Sequence, residues 1–402
     1  MAVFCTAVVL CAQPVAEPSQ TVSDSVPTIS LITCSPGQEV YELYGHTAIR
    51  VRLGQPGAGY DQVYNYGVFS FSQPHFVWRF VLGQCDYMVA ACPFDIFLYE
   101  YRRRGSSVTE QVLNLKPEEA QRLSAALRDN ARPENCSYRY NFLTNNCTTK
   151  ARDIIEENIN GNVIYPVRAP RFTYRQLIHQ FTKGHPWAQD SNDMLLGVDM
   201  DTLVSPRAEM FLPSYLMNYA DSAMIHAFPT RYRPLVSEKH VLLEANAEAI
   251  AAEAERQPSF PLTPAQLGGL LLALSVLLMA FEQRRGHAVW MADLCWMLLQ
   301  GLAGILILIM VVWSTHPGVA SNWQFVVFNP LPLLAIYFVV QADRHHTSCL
   351  YHRWAAWVLA AFLVVAPFIR QDFSTLVLFL ASCLLTRALS HLLLYRQWKA
   401  QG

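Results

Sequence analysis

A nucleophilic cysteine needs donors that favour thiolate over thiol, a base for its proton, and a group that fixes the base's tautomer. The segment YNFLTNNCTTKARDIIEEN offers the first of these around Cys147. Ala151, Ile154, Ile155 and Asn158 fall at helical spacing with acids on the opposite face, and Asn145 or Asn146 would cap that helix, placing the sulfur in its first turn. Free backbone donors and the helix dipole lower the cost of negative charge there. A small buried cysteine at a helix start would carry the same pattern, so spacing alone leaves both readings open.

The base comes from another segment. YGHTAIRVRL alternates polar and apolar residues, meets the turn LGQPGAG and continues into DQVYNYGVFSF. This predicts a hairpin with His46 at the start of its first strand and Asn65 on its second. An imidazole on a rigid strand could take the thiol proton while the Asn65 amide oxygen accepts from its other nitrogen. The choice of His46 over His75, His179, His185 and His226 rests on its flanks, YG before and a β-branched strand after.

These residues must be held by a chain of 402 residues, 52% of them hydrophobic and 15% charged, with a net charge of -1. That composition excludes a disordered chain and a small disulfide scaffold, and it gives no electrostatic reason to bind nucleic acid. A mean hydropathy of +0.17 is high for an ordinary soluble enzyme, and the apolar excess sits at the two ends. Residues 1–23 begin with MAVFCTAVVLCAQPVA, a signal-like leader of the length of a signal-peptide core, without the usual positive start. From Leu262 onward five apolar runs are expected to span a membrane: Leu262 to Phe281, Val289 to Trp313, Phe325 to Val340, Leu350 to Ile369 and Phe373 to Tyr395. Arg284, Arg285, Arg344, Arg353, Arg396 and Lys399 fall in alternate loops and the tail, which assigns those to the cytoplasm and the preceding block to the outside.

The expected organisation is therefore a leader at 1–23, an exported catalytic domain at 24–258 ending in an Ala/Glu-rich linker helix, and a five-span domain at 259–402. The exported block holds Cys34, Cys85, Cys92, Cys136 and Cys147, an odd number, so at least one thiol stays unpaired within a monomer. Nothing in the sequence suggests assembly beyond a monomer.

The stretches CSPGQEVYELYGHTAIRV and VYNYGVFSF, followed about a hundred residues later by NFLTNNCTT, together resemble the Lnb family, the lipoprotein N-acyltransferases of the Bacteroides group. The resemblance covers nearly the whole chain. It implies an α+β, circularly permuted papain-like periplasmic domain, similar to NlpC/P60 and lecithin:retinol acyltransferase-like folds, followed by an all-α five-helix transmembrane bundle in the inner membrane. It makes Cys147 the nucleophile and His46 its base. Asn65 as orienting residue follows from strand pairing alone. His316, Asn322 and Asn329, in THPGVASNWQFVVFNPLP, have the family look at the outward membrane surface, although helix capping explains them equally well.

The implied reaction moves an acyl chain from a phospholipid donor through a Cys147 thioester to the α-amine of a diacylglyceryl-cysteine lipoprotein. It calls for no metal or soluble cofactor. The Cys147 amide is the first oxyanion donor, with Tyr44, Tyr140 or an asparagine of the Asn145–Asn146 pair as candidate seconds. A membrane-anchored papain-like hydrolase of lipid esters or wall peptides would need the same thiol and imidazole, and a noncatalytic receptor would hold the thiol in a disulfide. Three further features have both functional and bland readings: Arg102, Arg103 and Arg104 as a phosphate clamp or a solvated strand patch; Phe211, Leu212 and Tyr215 as a docking face or core; and Arg387 and His391 in the last span as functional or snorkelling groups.

Overall fold

A computed structural model describes residues 26–55, 58–69, 74–227, 231–257 and 260–401. The signal-like stretch 1–23 lies outside the described residues. The first part of the chain runs β1 (Thr28–Cys34), β2 (His46–Gln55), β3 (Ala58–Val68), α1 (Phe76–Val81), β4 (Asp86–Pro93), α2 (Phe94–Arg104), β5 (Val108–Leu113), α3 (Pro117–Asn130), β6 (Ser137–Arg139) and α4 (Cys147–Glu157). Then come β7 (Asn162–Ile164), α5 (Tyr174–Thr182), α6 (Pro186–Leu195), α7 (Pro206–Glu209), α8 (Pro213–Ala220), β8 (Met224–Ala227), β9 (Arg231–Pro234), β10 (Val236–Leu243) and α9 (Ala247–Arg256). The membrane half contains α10 (Pro264–Arg285), α11 (Trp290–Trp313), α12 (Leu331–His345), α13 (Leu350–Val365) and α14 (Thr375–Gln401).

Seven strands form one antiparallel sheet in the order β10-β5-β1-β2-β3-β4-β6. Strand β1 is apolar on both pleat faces, and the sheet is accordingly covered on both. Ile29, Leu31, Ile49, Val51 and Tyr64 pack with Leu123 and Leu127 of α3 and Ala151, Ile154 and Ile155 of α4. Ile32, Cys34, Ala48 and Val63 pack on the other side with Phe97 of α2. The β2–β3 hairpin and the helix beginning at Cys147 both form as the polar–apolar periodicities predict. The fold is thus α+β, with the histidine strand before the cysteine helix.

Gly45 sets the entry to β2. Its φ is +76°, and a side-chain carbon there would lie 2.6 Å from the Cys34 carbonyl oxygen. Only glycine meets both conditions. Gly45→Ala is expected to displace the start of β2, with a destabilisation of about 1–2 kcal/mol; a wild-type thermal midpoint would show the turn to be irrelevant.

The chain divides between 258 and 259, but not there alone: residues 173–202 cluster with the membrane half and 203–258 with the sheet domain. This departs from the continuous 24–258 domain expected from sequence. Long-range hydrogen bonds tie residues 173–202 to the membrane half, the carbonyls of Asp193, Met194 and Leu196 accepting from Gln324, Asn322 and Gln371 respectively. Buried Arg175, paired with Asp193 and Asp201, fixes the segment internally.

Among the described residues, five helices are long and apolar enough to cross a membrane: Pro264–Arg285, Trp290–Trp313, Trp323–His345, Leu350–Phe368 and Thr375–Ala400. The last is the most enclosed by the others. Arg387 and His391, four residues apart on one face of α14, do not snorkel; both are buried in the bundle.

Candidate active site

His46 opens β2 and shares a pleat face with Ala48, whose partner across the hairpin is Asn65. That register places the Asn65 amide diagonally beside the imidazole, and His46 Nε2 lies 3.2 Å from Asn65 Oδ1. The amide is oriented by its own donations to the Val63 carbonyl at 3.4 Å and to Cys92 Sγ at 3.4 Å. With Nε2–H given to the amide oxygen, Nδ1 is the ring nitrogen left to take a proton.

Cys147 is the first residue of α4. Asn146, the N-cap, accepts from the Thr148 and Thr149 amides and gives both its side-chain hydrogens away, to the Phe142 and Phe211 carbonyls. Of the two candidate caps it is therefore Asn146 that serves, and it has no donor left for an oxyanion. Thr47 Oγ1 and Thr148 Oγ1 meet at 3.1 Å, joining the residue after His46 to the residue after Cys147. This pair fastens the helix start to the strand start. Neither threonine emerges from reading the sequence, because the contact spans about a hundred residues; the repeated pattern of a site residue followed by threonine is the one available hint.

The thiol and the imidazole interact by hydrogen bond and charge. Burial pushes the Cys147 thiol up, but the neighbouring His46, the Thr47 backbone N–H and the Thr148 hydroxyl outweigh it, so the thiol lies below its ordinary 9.0. Burial works to lower His46, while Cys147 and then Asn65 raise it above its ordinary 6.5. A lowered thiol beside a raised imidazole favours moving the proton from sulfur to nitrogen. Cys34 and Cys85 move the other way, their thiols pushed up chiefly by burial. Each of the five cysteines from Cys34 to Cys147 is a free thiol. Alkylation of the Cys147 peptide, followed by mass spectrometry, should level off below pH 9.0 in the wild type, with its limb displaced upward in His46→Gln; superimposable limbs would refute the pairing.

A cavity of about 180 Å³ flanks the imidazole on the side of His46, Asn65 and Gly67. Its wall is mostly apolar, including Val68, Phe69, Ile96 and Phe97. Gly67, at φ +90°, joins it to the thiol: a side-chain carbon there would stand 3.5 Å from Cys147 Cβ. The Tyr138 hydroxyl would be 4.0 Å from the same point; it is buried and lies beside the Gly67 backbone N–H. Sequence reasoning passes over Tyr138, which lies on β6 two residues before Tyr140. Tyr140 stacks on Tyr87 at 4.0 Å, and Tyr44 meets Phe142 edge-on at 5.0 Å.

Other expectations resolve differently. Arg102, Arg103 and Arg104 end helix α2 instead of lying on a strand, since the apolar run before them follows helical spacing. Arg104 is held by Glu42 at 2.6 Å and Glu100 at 3.1 Å, so its charge is already met. Phe211 and Leu212 are buried, Phe211 against Phe142, as core. His316, Asn322 and Asn329 lie between α11 and α12. Asn322 caps a 3-10 turn and Asn329 bonds the Val326 carbonyl and Leu331 amide, so both amides carry structural roles.

Fold and site together define a class: a membrane protein with five helices able to span the bilayer, whose sheet-rich domain brings a thiol, an imidazole and an amide next to one another. Residues 16–180 match the Lnb N-terminal periplasmic domain, and residues 255–398 match the Lnb transmembrane domain. The chain belongs to the Lnb family and is a multi-pass membrane protein with a periplasmic domain. Neither curated proteins nor solved structures give a match.

Proposed function

We propose that the protein is a lipoprotein N-acyltransferase of the inner membrane, transferring an acyl chain from a phospholipid to the α-amine of a diacylglyceryl-cysteine lipoprotein. The observation that carries this reading is the paired Cys147 thiol and His46 imidazole, with an apolar cavity against the same imidazole. In the first half-reaction Cys147 thiolate attacks the donor ester, the acyl C–O bond breaks, and the imidazolium of His46 protonates the leaving lysophospholipid oxygen. In the second, neutral His46 takes a proton from the acceptor amine as the C–N bond forms and the C–S bond breaks. The thiolate and imidazolium are thereby restored. Such a relay suits an amine whose ordinary pKa of about 7.7–8.0 leaves it partly protonated at neutral pH.

Asn65 acts as the positioning residue for His46. The Cys147 amide at the helix start and the Tyr138 hydroxyl, whose hydrogen the Gly67 N–H leaves available, are the proposed oxyanion donors. Tyr138→Phe is expected to lower kcat on the order of 100-fold with little change in KM, measured as acyl transfer to a lipopeptide; full turnover would assign the oxyanion elsewhere. Exposed Val77, Trp78 and Phe80 on α1 favour a lipid-facing role for that short helix, since leaving two acyl chains in water costs about 0.8 kcal/mol per CH2.

The test is mass spectrometry of a diacylated lipopeptide incubated with the purified protein and phospholipid. The proposal expects one added acyl chain on the terminal amine. Release of free fatty acid with no gain on the lipopeptide would make the protein a hydrolase.

A further inference from the structure

The membrane half contains a second group of chemically able side chains. Asp343 at the end of α12, His352 at the start of α13 and His391 on α14 are 4%, 3% and 2% exposed. One ligand atom from each can be chosen such that all lie within 4.8 Å of one another. His391 Nδ1 is 2.6 Å from Asp343 Oδ1, a contact in which a metal ion could take the place of the shared proton. The two imidazoles stack at 4.1 Å between centroids. Among the described residues, Asp343 Oδ2, His352 Nε2 and His391 Nε2 are buried polar atoms without a hydrogen-bond partner.

Three orphaned polar atoms in one buried spot are costly unless something satisfies them. Charge points the same way. Glu282, Asp293 and Asp343 are buried carboxylates, and Arg387, which pairs with the first two, is the buried cation set against them. With neutral imidazoles the group holds three negative charges and one positive, a deficit that a divalent cation would close. We propose that Asp343, His352 and His391 bind a divalent transition-metal cation, zinc being the best fit to two imidazoles and a carboxylate, which clamps the α12, α13 and α14 ends together. Metal–ligand bonds of about 2.0–2.2 Å put ligand atoms at most roughly 4.4 Å apart, so the three side chains need only small adjustments to share one ion. The site lies at the end of the bundle carrying Arg284, Arg344, Arg353 and Arg396, which the positive-inside rule places at the cytoplasm. Its role is structural and separate from acyl transfer.

The test uses the full chain in detergent, stripped with chelator and reloaded with zinc or cobalt alone. After gel filtration the wild type should retain about one zinc per chain, and cobalt should give d–d absorption bands. His352→Gln and His391→Gln should each weaken retention by at least about tenfold. X-ray absorption of the zinc-loaded wild type should read a nitrogen and oxygen shell with imidazole scattering, which requires no variant to fold. No retained metal in the wild type, a sulfur shell, or retention undiminished in the double histidine variant would each overturn the site; in the first case His391 and Asp343 form only a proton-mediated pair.

Discussion

Cys147→Ala is expected to abolish acyl transfer, by about 10⁴-fold or more, while the protein still folds and inserts. The side chain it removes is the one that would carry the acyl group, and the Asn146 cap, the Thr47–Thr148 contact and the His46–Asn65 pair are each made between atoms other than the sulfur. Nucleophile removal from a relay of this kind leaves only what binding and the oxyanion donors supply. Two measurements separate loss of chemistry from loss of fold. The thermal midpoint of Cys147→Ala should match the wild type, and an acyl-thioester adduct, sought by intact mass with donor phospholipid and no acceptor, should appear on the wild type alone. Undiminished N-acylation by the variant would remove the thiol from the mechanism. His46→Gln belongs to the same series and should be less extreme, because the helix start, the Thr47 N–H and the Thr148 hydroxyl still favour thiolate without the imidazole.

How much of this site is legible in the sequence depends on the length scale of the interaction that makes it. The hairpin is legible because strand alternation and a Gly/Pro turn are local, and its register alone brings Asn65 beside His46. The first-turn position of Cys147 is legible because capping is a contact over two or three residues. The Tyr138 hydroxyl, the Thr47–Thr148 contact and the cavity wall from α2 are not, since each needs the tertiary fold to bring distant segments together. Arg102 to Arg104 illustrate a different limit: their placement depends on whether the preceding FDIFLYEY is strand or helix, and the covering of the second sheet face decides for helix. The segment 173–202 shows a third. Its affiliation with the membrane half rests on backbone carbonyls accepting from Asn322, Gln324 and Gln371, and backbone carbonyls leave no trace in residue identity.

In the membrane half the largest effect is expected from Arg387. Its guanidinium makes four contacts of 2.7–2.9 Å to Glu282 on α10 and Asp293 on α11, while Ser390 donates to Glu282 at 2.5 Å. Helix α14 thus presents its charge to both neighbours in a setting where water cannot substitute. Arg387→Leu would leave two buried carboxylates facing each other without a cation, and removing one partner of such a cluster costs about 3–5 kcal/mol. The expected result is a lowered thermal midpoint in detergent and poor recovery from membranes. Replacing all three charged residues with apolar ones of similar size should restore much of the loss, because a packed apolar contact in that place needs no compensation. The order of midpoints, Arg387→Leu well below both the wild type and the triple variant, distinguishes charge compensation from mere loss of side-chain volume. An Arg387→Leu protein as stable as the wild type would mean that Glu282 and Asp293 are held by protons instead.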